Sequence, residues 1–202
     1  MSINEQERTM MRFHRPRRLG AALVAVAAIA AAAPAAASAA SCPAQATTQL
    51  FAPLGDANNY FLAPGGDFEG ANTWTKTGNT VIRMKEGWTT FAGANAMQMP
   101  VGGTGTSPAV CVDIDRPHLR LAARADKNVG TLQVDAVLAS GAVKPLATLS
   151  AANHPDWNLT GYIPLTSPLG VTSKITQQAR LRFTPSGGAW SIDGVGVDPR
   201  VR

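Results

Sequence analysis

An all-β fold, with short antiparallel strands packed as a sandwich or barrel, is what this sequence predicts. Three observations lead there. Beyond residue 40 no run places apolar residues at i, i+3, i+4 and i+7, and Gly and Pro recur too often for long helices. Several segments of four to eight residues alternate apolar with polar. Turn clusters separate them: Pro64-Gly65-Gly66, Gly102-Gly103, Asp126 to Gly130, and Pro185-Ser186-Gly187-Gly188.

In chain order the expected strands are Gly66–Gly70, Thr80–Met84, Trp88–Phe91, Ala96–Met99, Ala109–Ile114 and Leu119–Arg124. They continue with Thr131–Leu138, Val143–Leu149, Leu159–Pro164, Ala179–Thr184 and Trp190–Val197. A single helical turn is expected around Ser173 to Gln178. Alternation assigns faces, because successive strand side chains point to opposite sides. Val110, Val112 and Ile114 oppose Cys111, Asp113 and Asp115. Leu119, Leu121 and Ala123 oppose His118, Arg120 and Arg124. Leu132 and Val134 oppose Gln133 and Asp135, and Leu181 and Phe183 oppose Arg180 and Arg182. One wet and one dry face per strand fits an antiparallel sheet packed on a second sheet. In the last strand Trp190 and Ile192 share one parity, Val195 and Val197 the other. The break at Asp193-Gly194 predicts a β-bulge.

The first 39 residues are read apart from the fold. Arg12, Arg15, Arg17 and Arg18 precede an apolar, Ala-rich run from Leu19 to Ala33, then Pro34 and Ala37-Ser38-Ala39. A basic region, an apolar region and a small-x-small cleavage site make a secretory signal over residues 1–39. The run is shorter than the ~20 residues of a membrane anchor. Arg17-Arg18 is a poor twin-arginine match, Cys42 lacks the large aliphatic residue of a lipidation signal, and Met10 or Met11 are alternative starts. One domain then covers residues 40–202, in a secreted or cell-envelope protein without a membrane span after cleavage. The chain's net charge of +5 includes five basic and two acidic residues of the signal. Their loss leaves 13 Lys and Arg against 11 Asp and Glu, which offers no support for nucleic acid as a partner.

Two cysteines remain, Cys42 and Cys111. An even pair in an oxidising compartment reads as a disulfide, with two free thiols as the alternative. Two distant cysteines without clustered His do not make a zinc site. No Gly-x-Ser-x-Gly elbow, phosphate loop or His-Glu-x-x-His motif occurs. His118 and His154 are expected at the surface. Asp113 and Asp115 are expected to pair across strands with Arg120, Arg124 or Arg180. No catalytic residue is therefore assigned.

Two segments carry a resemblance. One is Pro64-Gly65-Gly66-Asp67-Phe68-Glu69-Gly70, followed by Trp74. The other is Trp190-Ser191-Ile192-Asp193-Gly194-Val195-Gly196-Val197-Asp198-Pro199. Together the pair resembles the opening and closing strands of galactose-binding-like jelly rolls, among them many carbohydrate-binding modules. The whole chain is also similar to secreted bacterial proteins with a Pro-Ala-Val-Cys-Val segment and a late Arg-Phe-Thr-Pro strand, a likeness that brings no function with it. The resemblance implies a jelly-roll β-sandwich whose first and last strands are neighbours, with a structural calcium between them. Glu69 and Asp193 are the implied ligands, Asp67 a weaker one, and Gly194 stands where many relatives have a second acid. Hard oxygen donors suit calcium.

The expected function is a secreted, non-catalytic binding module, leaning to carbohydrate of the cell wall or environment. Arg120, Arg124, Asp135 and Arg182, with Gln133, His118 and Arg180, are expected on one wet sheet. Arg and Asp there suit bidentate hydrogen bonds to a sugar. Trp88, Trp157 and Tyr60, near turns, are the candidate stacking platforms. The alternatives are a structural or adhesive envelope protein that binds a protein partner, and a jelly-roll polysaccharide lyase or hydrolase using an Arg, His and Asp set. Asn158-Leu159-Thr160 fits a glycosylation sequon, read here as chance.

Overall fold

A computed structural model describes residues 42–71, 73–84, 93–173 and 175–198. The expected signal, the strand at Trp88–Phe91 and Trp88 itself lie outside the described residues.

The described residues build two antiparallel sheets. The larger holds β1 (Phe61–Leu62), β3 (Val81–Met84), β4 (Asn95–Met99), β6 (His118–Ala125), β9 (Asn158–Leu159), β10 (Ile163–Pro164) and β12 (Trp190–Asp198). Its order is β10-β6-β12-β4-β3, with β9 also on β6 and β1 also on β12. The smaller runs β2-β5-β11-β7-β8, from β2 (Thr75–Thr77), β5 (Thr104–Val112), β11 (Gln177–Ser186), β7 (Thr131–Leu138) and β8 (Val143–Ser150). Their inner faces close over one core. Leu119, Leu121, Trp190, Ile192, Met97 and Val195 of the larger sheet meet Val110, Leu132, Val134, Leu181 and Phe183 of the smaller. The expected antiparallel β-sandwich is the architecture observed, and the alternation of β6, β7 and β11 points the expected residues inward.

The bulge in β12 is present. The β12–β6 register shifts between Asp193 and Gly196, and Gly194 has a positive φ of 58°. Glycine carries this conformation without the steric cost of a Cβ. The shift lets Trp190, Ile192, Val195 and Val197 all reach the core. The first strand pairs with the last, Phe61 with Val197 and Leu62 with Gly196, although the 64–70 segment for which the resemblance implies that neighbourhood is not a strand. The same edge continues into the Pro64 turn, where Ala63 N donates to Val195 O and Val195 N to Gly66 O.

Several expectations are corrected. Gly66–Gly70 is a turn, not a strand. Pro64 and two glycines start it, and Phe68 takes a positive φ of 56°, which drops its ring into the core edge-on to Trp74. Among the described residues the helical turn near Ser173 is absent, and Thr172 and Ile175 form an isolated bridge. A four-residue helix α1 (Thr166–Leu169) lies earlier, closed by Gly170 in the left-handed region. Asp113, Ile114 and Asp115 fall beyond β5 in a turn, where Asp113 Oδ1 accepts from Asp115 N and Oδ2 pairs with Arg116. That replaces the expected cross-strand pairing. β5 instead begins earlier and runs through Pro108. Proline has no N–H for the ladder, and a register shift opposite it between Arg180 and Arg182 absorbs the irregularity. There Ser107 Oγ accepts the Leu181 N–H at 2.8 Å.

The expected disulfide joins Cys42 to Cys111 across 69 residues. It anchors the start of a segment that crosses the outer side of the larger sheet. Phe51 and Tyr60, ring centres 4.7 Å apart, bury Ala122 together with the half-buried Trp157 and Leu159. The outer face of β6 is therefore partly dry.

Candidate functional site

The segment that covers β6 also builds the candidate site. A short 3-10 turn at Ala52–Leu54 ends on Gly55 at a φ of 82° and delivers Asp56 over the strand. Asp56 Oδ1 accepts from Asn58 N at 3.0 Å, Oδ2 accepts from Tyr60 OH at 2.5 Å, and Oδ2 also pairs with Arg120. Burial acts to raise the Asp56 pKa. The hydrogen bonds from Tyr60 and Asn58 and the Arg120 guanidinium outweigh it and hold the carboxyl below its usual range. Burial, and then the Asp56 acceptor, push the Tyr60 hydroxyl up.

Arg120 is engaged on every side. Its Nε and one terminal nitrogen donate to Thr160 O at 2.9 and 2.7 Å, and the other terminal nitrogen meets Asp56 and Tyr60. Its central carbon stands 4.6 Å from the centre of the Tyr162 ring. Thr160 is buried between the strands, its N–H donating to Leu121 O and its Oγ1 accepting the Leu121 N–H. Arg120 thus braces the β9–β10 connection.

Tyr162, on that connection, is 47% exposed. Every other described aromatic is buried or half-buried. Tyr162 flanks a groove of about 480 Å³ with Asn58, Ile114, Pro117, His118, Thr166 and Asp198. The groove sits where β6 begins and β12 ends, since His118 and Asp198 are cross-strand partners. Asn58 Nδ2 donates to Tyr162 OH at 3.2 Å, and the His118 ring is tilted against Tyr162 at 5.2 Å. His118 Nδ1 is 3.8 Å from Asp198 Oδ2. Burial raises the Asp198 pKa and Asp56 adds to this, with His118 and Arg120 acting in the opposite sense. An open aromatic face bordered by an amide, an imidazole, a hydroxyl and a carboxylate can stack on a ring and bond its hydroxyls.

The sequence-based site residues do not converge. His118, Arg120 and Arg124 lie on β6 of the larger sheet, whereas Gln133, Asp135, Arg180 and Arg182 lie on β7 and β11 of the smaller. Alternation reports the face of a strand but not the sheet that holds it, so one wet sheet becomes two. On the smaller sheet Arg182 pairs with Asp135 at 2.8 Å, Gln133 Nε2 donates to Asp135, and Thr148 donates to Gln133. On the larger, Arg124 and Trp157 border a pit of about 10 Å³ with Gln98, Asp126 and Ser191, room for one water. Tyr60 is fully buried, so it is no platform. His154, expected at the surface, is buried with its ring 5.7 Å from that of Trp190. Asn158 donates to Asn153 O and Thr160 is buried, so the sequon residues serve the fold. Tyr162, Asn58 and Asp198 were missed. Tyr162 falls within the expected strand Leu159–Pro164, which instead breaks into β9 and β10 around Thr160-Gly161-Tyr162, and Gly161 was the available signal of that break.

Glu69 is exposed and accepts from Asn95 N at 2.5 Å and Asn95 Nδ2 at 3.1 Å. Asp193 is fully buried, and its Oδ1 accepts from Gly194 N at 2.7 Å. Asp67 Oδ1 accepts the Glu69 N–H at 3.4 Å. Among the described residues no three His, Cys, Asp or Glu gather into a metal cluster.

No family model matches the chain, and no curated protein does. Solved structures similar to it include a family 11 carbohydrate-binding module of a cellulosomal cellulase of Clostridium thermocellum. That likeness has 12% identity and a TM-score of 0.41 over 71% of this chain and 96% of that one. A second is a xylanase 10B of the same organism, with its family 22 module and xylohexaose, at 13% identity and a TM-score of 0.44 over 64% of this chain and 26% of that one. A third is xylanase 10C of Cellvibrio japonicus with xylopentaose, at 10% identity and a TM-score of 0.42 over 64% and 27%.

Proposed function

We propose that this chain is an exported, non-catalytic binding module that takes a carbohydrate in the Tyr162 groove. One observation carries the reading: the exposed aromatic face is held from behind by Arg120 and borders a groove with hydrogen-bonding side chains around it. Sugars present apolar C–H faces and peripheral hydroxyls, and such a surface answers both. Export is supported by the signal pattern over residues 1–39 and by the Cys42–Cys111 disulfide, a bond that persists in oxidising compartments. Arg124, Asp135, Arg182 and Trp157 stand outside this groove and are not assigned to it.

A structural calcium remains part of the proposal. The buried Asp193 carboxylate is a hard donor, and Glu69 would exchange its Asn95 hydrogen bonds for the ion. Backbone and amide oxygens would complete the shell.

The test is a pull-down of residues 40–202 on insoluble polysaccharides and purified cell walls, with Tyr162→Ala alongside and calcium present or absent. Saturable binding to one glycan, lost in Tyr162→Ala, is the expected result. Retention of wild type and variant alike would remove the groove from the reading. Failure to bind any glycan would end the carbohydrate reading.

A further inference from the structure

Among the described residues the charges around the Tyr162 groove do not balance, and their imbalance points to a ligand class. Among the described residues Arg116, next to the lining Pro117, pairs with Asp113, and Arg120 lies over Tyr162, but its guanidinium is spent on Asp56, Tyr60 and the Thr160 carbonyl. Asp56 cancels its charge at close range and is itself capped by Asn58 N and Tyr60 OH. Asp198 lines the groove, and among the described residues its ion-pair partner is His118, at 3.8 Å. The other lining side chains, Asn58, Ile114, Pro117, Tyr162 and Thr166, are uncharged. The fixed charge that the described residues of the groove offer a ligand is therefore a carboxylate beside an aromatic face.

Resting on the carbohydrate reading above, we infer that the groove selects amino sugars, stacking a hexosamine on Tyr162 and pairing its ammonium with Asp198. Uronic acids meet the same carboxylate as a repulsion. A charge-assisted hydrogen bond at a partly buried carboxylate exceeds the neutral contact an N-acetyl group makes. The expectation runs against the molecule's overall field. The chain is net positive, so non-specific attraction favours polyanions over polycations. A preference for ammonium-bearing glycans would thus be a local signature.

The experiment measures calorimetric affinities of residues 40–202 for three soluble oligosaccharides of equal length near neutral pH: glucosamine, N-acetylglucosamine and galacturonate. Glucosamine should bind about tenfold tighter than its N-acetylated form, with galacturonate weakest. Asp198→Asn should bring the glucosamine affinity down to that of the N-acetylated oligomer. Should that variant fail to fold, raising the salt with the wild type provides the second measurement. The preference must shrink, because salt screens ion pairs. Equal binding of the glucosamine and N-acetyl forms, lost in Tyr162→Ala, would overturn amino-sugar selection and leave the groove as the binding site. Tighter binding of galacturonate, sensitive to Tyr162→Ala, would do the same. If none of the three binds and no polysaccharide is retained in the pull-down, both readings fall together.

Discussion

The guanidinium of Arg120 lies over the ring of Tyr162, its central carbon 4.6 Å from the ring centre. The same side chain is held by Asp56 and by the Thr160 carbonyl, so the pose of an exposed aromatic is set by a half-buried arginine. Arg120→Met tests this dependence. It leaves the Asp56 carboxylate without its cation and Thr160 O without its donors. Breaking one partner from this half-buried pair costs about 1–3 kcal/mol, read in urea unfolding. Arg120→Lys should recover only part of it, because an ammonium cannot reproduce the planar fork. Full stability in Arg120→Met would mean that the pair holds nothing in place.

Tyr162→Ala should separate binding from folding. The ring is 47% exposed, so its loss should change stability by about 1 kcal/mol or less. Glycan retention should fall by about tenfold or more, the loss of a stacking platform. A large drop in melting temperature would instead identify the ring as structural.

The disulfide ties the start of the covering segment to β5. Cys42 and Cys111 are 69 residues apart, and a loop of that length gives ~4 kcal/mol in the chain-entropy model. The Cys42→Ala, Cys111→Ala double variant should lose stability on that scale. Intact protein under denaturing conditions should show no free thiol, and two titratable thiols would refute the bond.

Much of this fold was legible because burial with a period of two is written in residue order. Leu119, Leu121 and Ala123 declare the inner face of β6, and the parity break at Asp193-Gly194 declares the bulge of β12. Other features depend on contacts that residue order does not encode. Nothing local distinguishes Arg120, whose carboxylate lies 64 residues away, from Arg182, whose carboxylate lies 47 away on another sheet. The covering segment turned Tyr60 from a surface candidate into a buried hydrogen-bond donor. Phe68 alternates with its neighbours as a strand residue would, yet Pro64-Gly65-Gly66 sets a turn first and the ring follows it inward. Tyr162 was read as part of one strand, Leu159–Pro164, but the chain leaves the sheet between β9 and β10 and exposes the ring there.

For calcium, the prediction is a melt with and without chelator. An ion that binds only the folded state stabilises it, by about 2.7 kcal/mol when present at roughly a hundredfold excess over Kd. EDTA should lower the melting temperature, and Glu69→Gln should shrink the response. An identical melt in both conditions would withdraw the ion from the proposal.

His154 makes stability depend on pH. It is buried against Trp190, and burial, the largest influence, lowers its pKa below the usual 6.5 despite an opposing contribution from Asn158. The unfolded chain takes up a proton as pH falls through about 6.5, while the folded imidazole resists until its lower pKa is reached. Stability from this group is therefore complete above about 6.5 and is lost as the pH falls toward the depressed folded value. His154→Phe removes the titration. The variant gives up the imidazole's hydrogen bonds to Asn158 and the Ala123 backbone, while an aromatic ring keeps the contact with Trp190. Unfolding free energies measured between about pH 7.5 and 5 should decline in the wild type and decline less in the variant. Equal slopes would show that His154 charges freely in the folded state, which its burial forbids.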